Sequence, residues 1–147
     1  MAAAERKEIL DIPLEKLFAV ISDYASYPNF VTGMKDAKFV EDKGEAKVFF
    51  FDMEMVKRVN YKIKITSKLA ANKDRVEVDW SLVESSFFKG NNGSWRLKAI
   101  SPTQTEATYK LELDFNFPVP GFVLKGMIAS NLPNAMKEFL NEAKKRG

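Results

Sequence analysis

Between Gly44 and Phe117 the chain alternates apolar and polar residues over five successive stretches, and this period of two constrains the fold more than any other feature. Phe49, Phe51, Met53 and Met55 alternate with Phe50, Asp52 and Glu54, and Val59, Tyr61, Ile63 and Ile65 with Asn60, Lys62, Lys64 and Thr66. Val76, Val78, Trp80 and Leu82 follow against Glu77, Asp79 and Ser81. Gly90-Asn91-Asn92-Gly93 reads as a strong turn, after which Trp95, Leu97 and Ala99 alternate with Ser94, Arg96 and Lys98. Tyr109, Leu111, Leu113, Phe115 and Phe117 close the series against Lys110, Glu112, Asp114 and Asn116. Each stretch has one apolar face, which predicts a long antiparallel meander. Ala4 to Ile12 and Met34 to Glu41 are weaker candidates for strands at either end.

Helical spacing flanks this block. Leu14, Leu17, Phe18 and Ile21 fall at i, i+3, i+4 and i+7 after Pro13, predicting a short amphipathic helix that ends near Asp23. The next residues, Tyr24 to Phe30, are aromatic and turn-rich, and Pro28 biases Tyr27 away from helix, so a brief helix or turn is expected. After Pro118-Val119-Pro120-Gly121, a second helical pattern carries Leu124, Ile128, Leu132, Ala135, Met136, Phe139 and Ala143 to a basic end at Lys144-Lys145-Arg146. At 1.5 Å per residue it would be roughly 37 Å long, enough to cross most of a small sheet, with a bend expected at Pro133.

The residue types that are missing narrow the chemistry. The 147 residues include no Cys and no His, which excludes disulfides, thiolate nucleophiles, imidazole bases and His-ligated metals. The charge of +3 is small, and flanking carboxylates blunt the Lys62, Lys64 and Lys68 stripe, so no DNA contact is expected. No apolar run approaches the roughly 18 to 20 residues of a membrane span, and the early charges Glu5, Arg6 and Lys7 do not fit a signal peptide. The expected location is cytoplasmic.

The apolar faces of the five strands carry no Asp, Glu, Lys or Arg in their central stretches, so the interior is expected to offer almost no ionisable group. Tyr61, Tyr109 and Trp80 bring polar tips on apolar bodies to that face. The opposite faces set Asp52 and Glu54, then Lys62 and Lys64, then Glu77 and Asp79 on neighbouring strands, a pattern of a solvated, charge-paired exterior.

A short helix, an aromatic Asp-x-x-x-Tyr-Pro segment, a run of strands and a long C-terminal helix, in that order, resemble the START-like superfamily. The residues that carry the resemblance are Asp23-Tyr24-Ala25-Ser26-Tyr27-Pro28-Asn29-Phe30, the Phe88 to Leu97 strand start, and Phe115-Asn116-Phe117 leading into Gly121 to Lys145. The pattern is most similar to the bacterial polyketide cyclase/dehydrase and coenzyme Q-binding branch. The resemblance implies an α+β helix-grip fold over residues 1–147 as a single domain: a curved antiparallel β-sheet wrapped around a long C-terminal α-helix, with one or two short helices after the first strand. It also implies an apolar cavity between sheet and helix that takes a lipid, isoprenoid quinone, polyketide or similar hydrophobic ligand. The chain departs from the catalytic members in having no His and no inward carboxylate or Arg.

The function expected on these grounds is binding of a hydrophobic small molecule, without a cofactor, a metal or an assigned catalytic residue. The candidate lining residues are Phe49, Phe51, Met53, Tyr61, Ile63, Val78, Trp80, Trp95, Leu97, Tyr109 and Leu111 on the strands, and Leu124, Ile128, Asn131 and Leu132 on the last helix. Two other classes stand beside this reading. One is an aromatase/cyclase-like enzyme in which a Tyr or bound water manages protons and proximity supplies much of the rate. The other is a ribosome or protein-interaction module of the ribosome-association toxin type, acting through its outer charges. Ser85 to Phe88 and Phe117 to Phe122 place apolar residues in expected loops, where they could gate the cavity or touch a membrane surface transiently.

Overall fold

The computed structural model describes residues 2–54 and 57–146. Its elements are β1 (Ala2–Leu10), α1 (Leu14–Ile21), a 3-10 segment (Tyr24–Asn29), β2 (Met34–Asp42), β3 (Ala46–Glu54), β4 (Arg58–Leu69), β5 (Arg75–Glu84), β6 (Phe88–Ser101), β7 (Gln104–Phe115) and α2 (Gly121–Arg146). The strands form one antiparallel sheet in the order β1-β7-β6-β5-β4-β3-β2. Strands β3 to β7 are the meander that alternation predicts, β2 extends it beside β3, and β1 pairs along the outer edge of β7, with Leu10 opposite Thr105. Both weaker candidates are therefore strands, and Met55 lies outside the described residues.

The dry faces of β4 and β7 point the way their parity requires. Val59, Tyr61, Ile63 and Ile65 of β4 are buried, as are Ala107, Tyr109, Leu111, Leu113 and Phe115 of β7. Register shifts between Lys62 and Ile63, and in β6 between Phe88 and Gly90 and between Ala99 and Ser101, curve the sheet. Against it lies α2, which touches β1, β7 and α1 and carries Pro133 within its span. This is the helix-grip arrangement.

One segment departs from expectation. Gly90 to Gly93 is no turn: β6 continues through it, with Asn91 opposite Leu113 and Gly93 opposite Leu111. Gly93 answers a close approach, because a Cβ there would stand 2.1 Å from Trp80 Cζ2 and 2.5 Å from the Lys110 carbonyl oxygen. Pairing with β7 along the whole segment, pairing with β5 at Gly93 and the Trp80 ring outweigh the local turn propensity. Phe88, expected in a loop, is buried at the start of β6 and stacks on Phe115 at 4.9 Å. Phe117 stays outside the strands under Lys57, whose Nζ is 4.2 Å from its ring centre, and Phe122 is 80% exposed.

The outer face is charge-paired with partners set by strand register. Arg58 makes two bonds to Asp52, of 2.9 and 2.8 Å, Lys62 reaches Glu84 at 3.3 Å, and Arg96 reaches Asp79 at 2.9 Å. Asp52 therefore pairs with Arg58 and not with a lysine of the Lys62 stripe, because Asp52 stands opposite Asn60. These exposed pairs contribute little each, of the order of 0.2 to 1 kcal/mol.

Candidate functional site

Between the concave sheet and α2 lies a cavity of about 530 Å³. Its sheet wall comes from β3 (Phe51, Met53), β4 (Tyr61, Ile63, Ile65), β5 (Val78, Trp80), β6 (Asn91, Trp95) and β7 (Tyr109, Leu111, Leu113). Tyr24, Tyr27 and Val31 close one side, and Met127, Asn131, Ala135 and Phe139 of α2 form the roof. Thr32, Glu54, Gly126, Ser130 and Asn134 line it as well and are exposed, so they mark its mouth.

The wall is held by ring contacts and a few polar ones. Trp95 stacks on Tyr109 at 4.5 Å, Tyr27 stacks on Phe51 at 5.9 Å, and Phe139 meets Tyr27 edge-on at 5.3 Å. Tyr109 Oη donates to Asn131 Oδ1 at 3.2 Å, Tyr61 Oη to Met53 Sδ at 3.2 Å, and Trp80 Nε1 to Asn91 Oδ1 at 3.3 Å. The Tyr24 hydroxyl is buried without a hydrogen bond among the described residues; Ser67 is near enough only to temper the rise in pKa that burial causes. At the mouth Glu138 accepts from the backbone N–H of Thr32 at 3.0 Å and from its hydroxyl, tying α2 to the segment after the 3-10 turn.

Burial raises the pKa of Tyr27, Tyr61 and Tyr109 well above the ordinary phenol value, with neighbouring tyrosines adding to the rise in Tyr27 and Tyr61 and the Glu138 charge adding to it in Tyr109. All three are neutral near pH 7. They can donate or accept hydrogen bonds, but a phenolate base is out of reach there.

Residues 10–140 match the sequence model of the family described as polyketide cyclase/dehydrase and lipid transport. The chain belongs to this family. No curated protein matches it by sequence. Among solved structures it is similar to a START superfamily protein from Mycobacterium smegmatis, with a TM-score of 0.81 and 15% identity over 99% of each chain. It is also similar to the Zhui aromatase/cyclase from a Streptomyces species, with a TM-score of 0.82 and 12% identity over 99% of this chain and 94% of that one. Human STARD10 gives a TM-score of 0.84 at 13% identity, over 97% of this chain and 63% of that one. At these identities the likeness is one of fold.

In this member of the polyketide cyclase/dehydrase and lipid transport family, ten of the candidate residues share the cavity: Phe51, Met53, Tyr61, Ile63, Val78, Trp80, Trp95, Tyr109, Leu111 and Asn131. Phe49, Leu97, Leu124, Ile128 and Leu132 are buried in the packed core instead. For the three helical residues the reason is rotational: their stripe packs into the interior, and the adjoining stripe, Met127, Ser130, Asn131 and Asn134, faces the cavity.

The expectation of an interior nearly free of ionisable groups needs correction at the mouth, where Glu54 and Glu138 both line the space. Glu54 ends β3, beyond the central stretch of its strand, and Glu138 comes from the helix, whose facing could not be read from strand parity. Asn91 was hidden by the turn reading of Gly90 to Gly93. Counting back from Trp95 in steps of two gives Gly93 and then Asn91, so the period itself held the signal.

Proposed function

We propose that the protein binds a hydrophobic small molecule, of lipid, isoprenoid quinone or polyketide-like type, in the cavity between the sheet and α2. The observation that carries this reading is the space itself: about 530 Å³ walled by aromatic and aliphatic side chains, with the exposed polar residues gathered at its mouth. A space of that size lies in the range of small-molecule sites and suits one chain or one fused-ring system. Burying such a ligand contributes about 25 cal/mol per Å² of apolar area removed from water. The neutral tyrosines support holding a ligand over transferring its protons, and Glu138, the acid nearest the roof, is engaged by Thr32. The outer face, where acids and bases pair with each other, lends no separate support to a ribosome or protein partner.

Native mass spectrometry of the purified protein, followed by organic extraction, tests the reading. A co-purifying apolar molecule, or a rise in melting temperature with members of a lipid and quinone panel, is the expected result. Protein that is ligand-free and unshifted by every member of the panel overturns it.

A further inference from the structure

Asn91 is a polar side chain for which hydrophobic burial alone gives no role. It projects from β6 onto the inner face, is only 5% exposed, and lines the cavity. Its two amide ends are chemically distinct, and one is already assigned. An indole N–H can only donate, so Trp80 Nε1 must face Oδ1, which turns the NH₂ group away from Trp80. Among the described residues the acceptor beside that NH₂ is the Tyr61 hydroxyl, which takes one of its two N–H groups and leaves the other without a partner in the protein. The Tyr61 hydroxyl stands beside it, near enough for Asn91 to offset part of the burial-driven rise in the phenol pKa. Tyr61 itself donates to Met53 Sδ, a weak acceptor. An N–H without a partner and an O–H with a poor one thus share one corner of an otherwise apolar wall.

We propose that Asn91, with Tyr61 beside it, seats an uncharged carbonyl oxygen of the bound molecule, which makes the ligand a ketone or quinone and not a carboxylic acid or a plain hydrocarbon. A carbonyl oxygen has two lone pairs and can take both donors. A carboxylate would enter without a counter-ion, because among the described residues the charged side chains lining the cavity are Glu54 and Glu138, with no Lys or Arg. A hydrocarbon filling the space would displace water from the Asn91 N–H and give it no acceptor in return. Trp80 is a positioning residue here: with no Cβ on Gly93 the indole lies across β6, and its N–H orients the amide.

The inference rests on the binding reading above, and its test separates the two. Decane, 2-decanone and decanoate are compared by displacement of the neutral dye Nile red from the protein. The expected result is that 2-decanone displaces the dye at about tenfold lower concentration than decane, with decanoate weakest, the size of effect that pairing one buried donor gives. Asn91→Leu should erase the difference between 2-decanone and decane. Should that variant fail to fold, the wild-type protein still decides: the Asn91 side-chain amide signals in a ¹⁵N spectrum shift with 2-decanone and stay in place with decane. Equal displacement by ketone and alkane, or unmoved amide signals, overturns the carbonyl seat and leaves the binding reading standing. Tightest displacement by decanoate overturns the uncharged class. No uptake of dye and no binding of any probe overturns both.

Discussion

Two stripes of α2 run side by side and do opposite things. Leu124, Ile128, Leu132, Met136 and Ala143 are buried where the helix meets β1, β7 and α1. Met127, Ser130, Asn131, Asn134 and Glu138 line the cavity. The backbone is the same along both stripes. What differs is the distance to the opposite wall and the length and polarity of the side chains offered to it: one stripe closes the space, and the other leaves it open with short polar groups at its mouth. A cavity of this kind is built as much by what stands off as by what packs.

The largest test of that contrast is a pair of truncations. Ile128→Ala should lose about 2 to 5 kcal/mol, the usual cost of emptying a filled core position. Asn134→Ala, exposed at the mouth, should change stability by about 0.5 kcal/mol or less. Urea denaturation of both variants reads the difference, and similar losses would break the distinction between a packed and an open stripe.

The open side also makes the protein sensitive to alkali, through the phenols that surround it. Tyr27, Tyr61 and Tyr109 have folded-state pKa values above their unfolded ones, so their contribution to stability is complete below about pH 10 and is lost as pH rises beyond it. Each phenol should remove roughly 1.4 kcal/mol per pH unit in that range. Phenolate absorbance and circular dichroism should therefore change together above pH 10, and Tyr61→Phe should move the alkaline midpoint upward. Ionisation of the phenols in protein that stays folded would mean the cavity wall is wetter than its burial implies.

Gly93→Ala tests the wall at one atom. The new methyl would meet the Trp80 ring and the Lys110 carbonyl, and the ring must shift because the backbone oxygen belongs to a paired strand. A loss of about 1 to 3 kcal/mol is expected, with a changed Trp emission spectrum. An unchanged spectrum would show that Trp80 does not lie across β6.

These residues also mark where sequence reading stops. The strands were legible because a sheet with one dry face writes its parity into every second residue, and Val59 to Ile65 or Tyr109 to Phe115 admit no other facing. The helix wrote only part of its geometry: its apolar residues showed that one side is buried, but not that Ile128 would be packed and Asn131 left facing a void, because that depends on how far the sheet curves away. Asn91 failed for a different reason. Gly-Asn-Asn-Gly is a turn by every local preference, and only the Trp80 ring lying over Gly93 and the pairing of β6 with β7 make it a strand. Glu138 reaches the mouth through Thr32, more than a hundred residues earlier in the chain, a contact no spacing rule contains.

The smallest expected effect sharpens the comparison from the open side. Gly126 lies within α2 at the cavity mouth, and a Cβ built on it would meet nothing within 4 Å. A glycine in a helix interior costs about 0.5 to 1 kcal/mol relative to alanine, through the extra freedom of the unfolded chain and poorer helix propensity. Gly126→Ala should therefore stabilise the protein by that amount and leave ligand binding within about twofold, since one methyl group takes up little of the space. Urea unfolding and the same dye-displacement assay measure both quantities on one sample. A destabilised variant would mean that the mouth is closed in solution and the two stripes are less different than their surroundings indicate. A stabilised variant that no longer takes up dye would place the entry route directly over Gly126, between α2 and the end of β3.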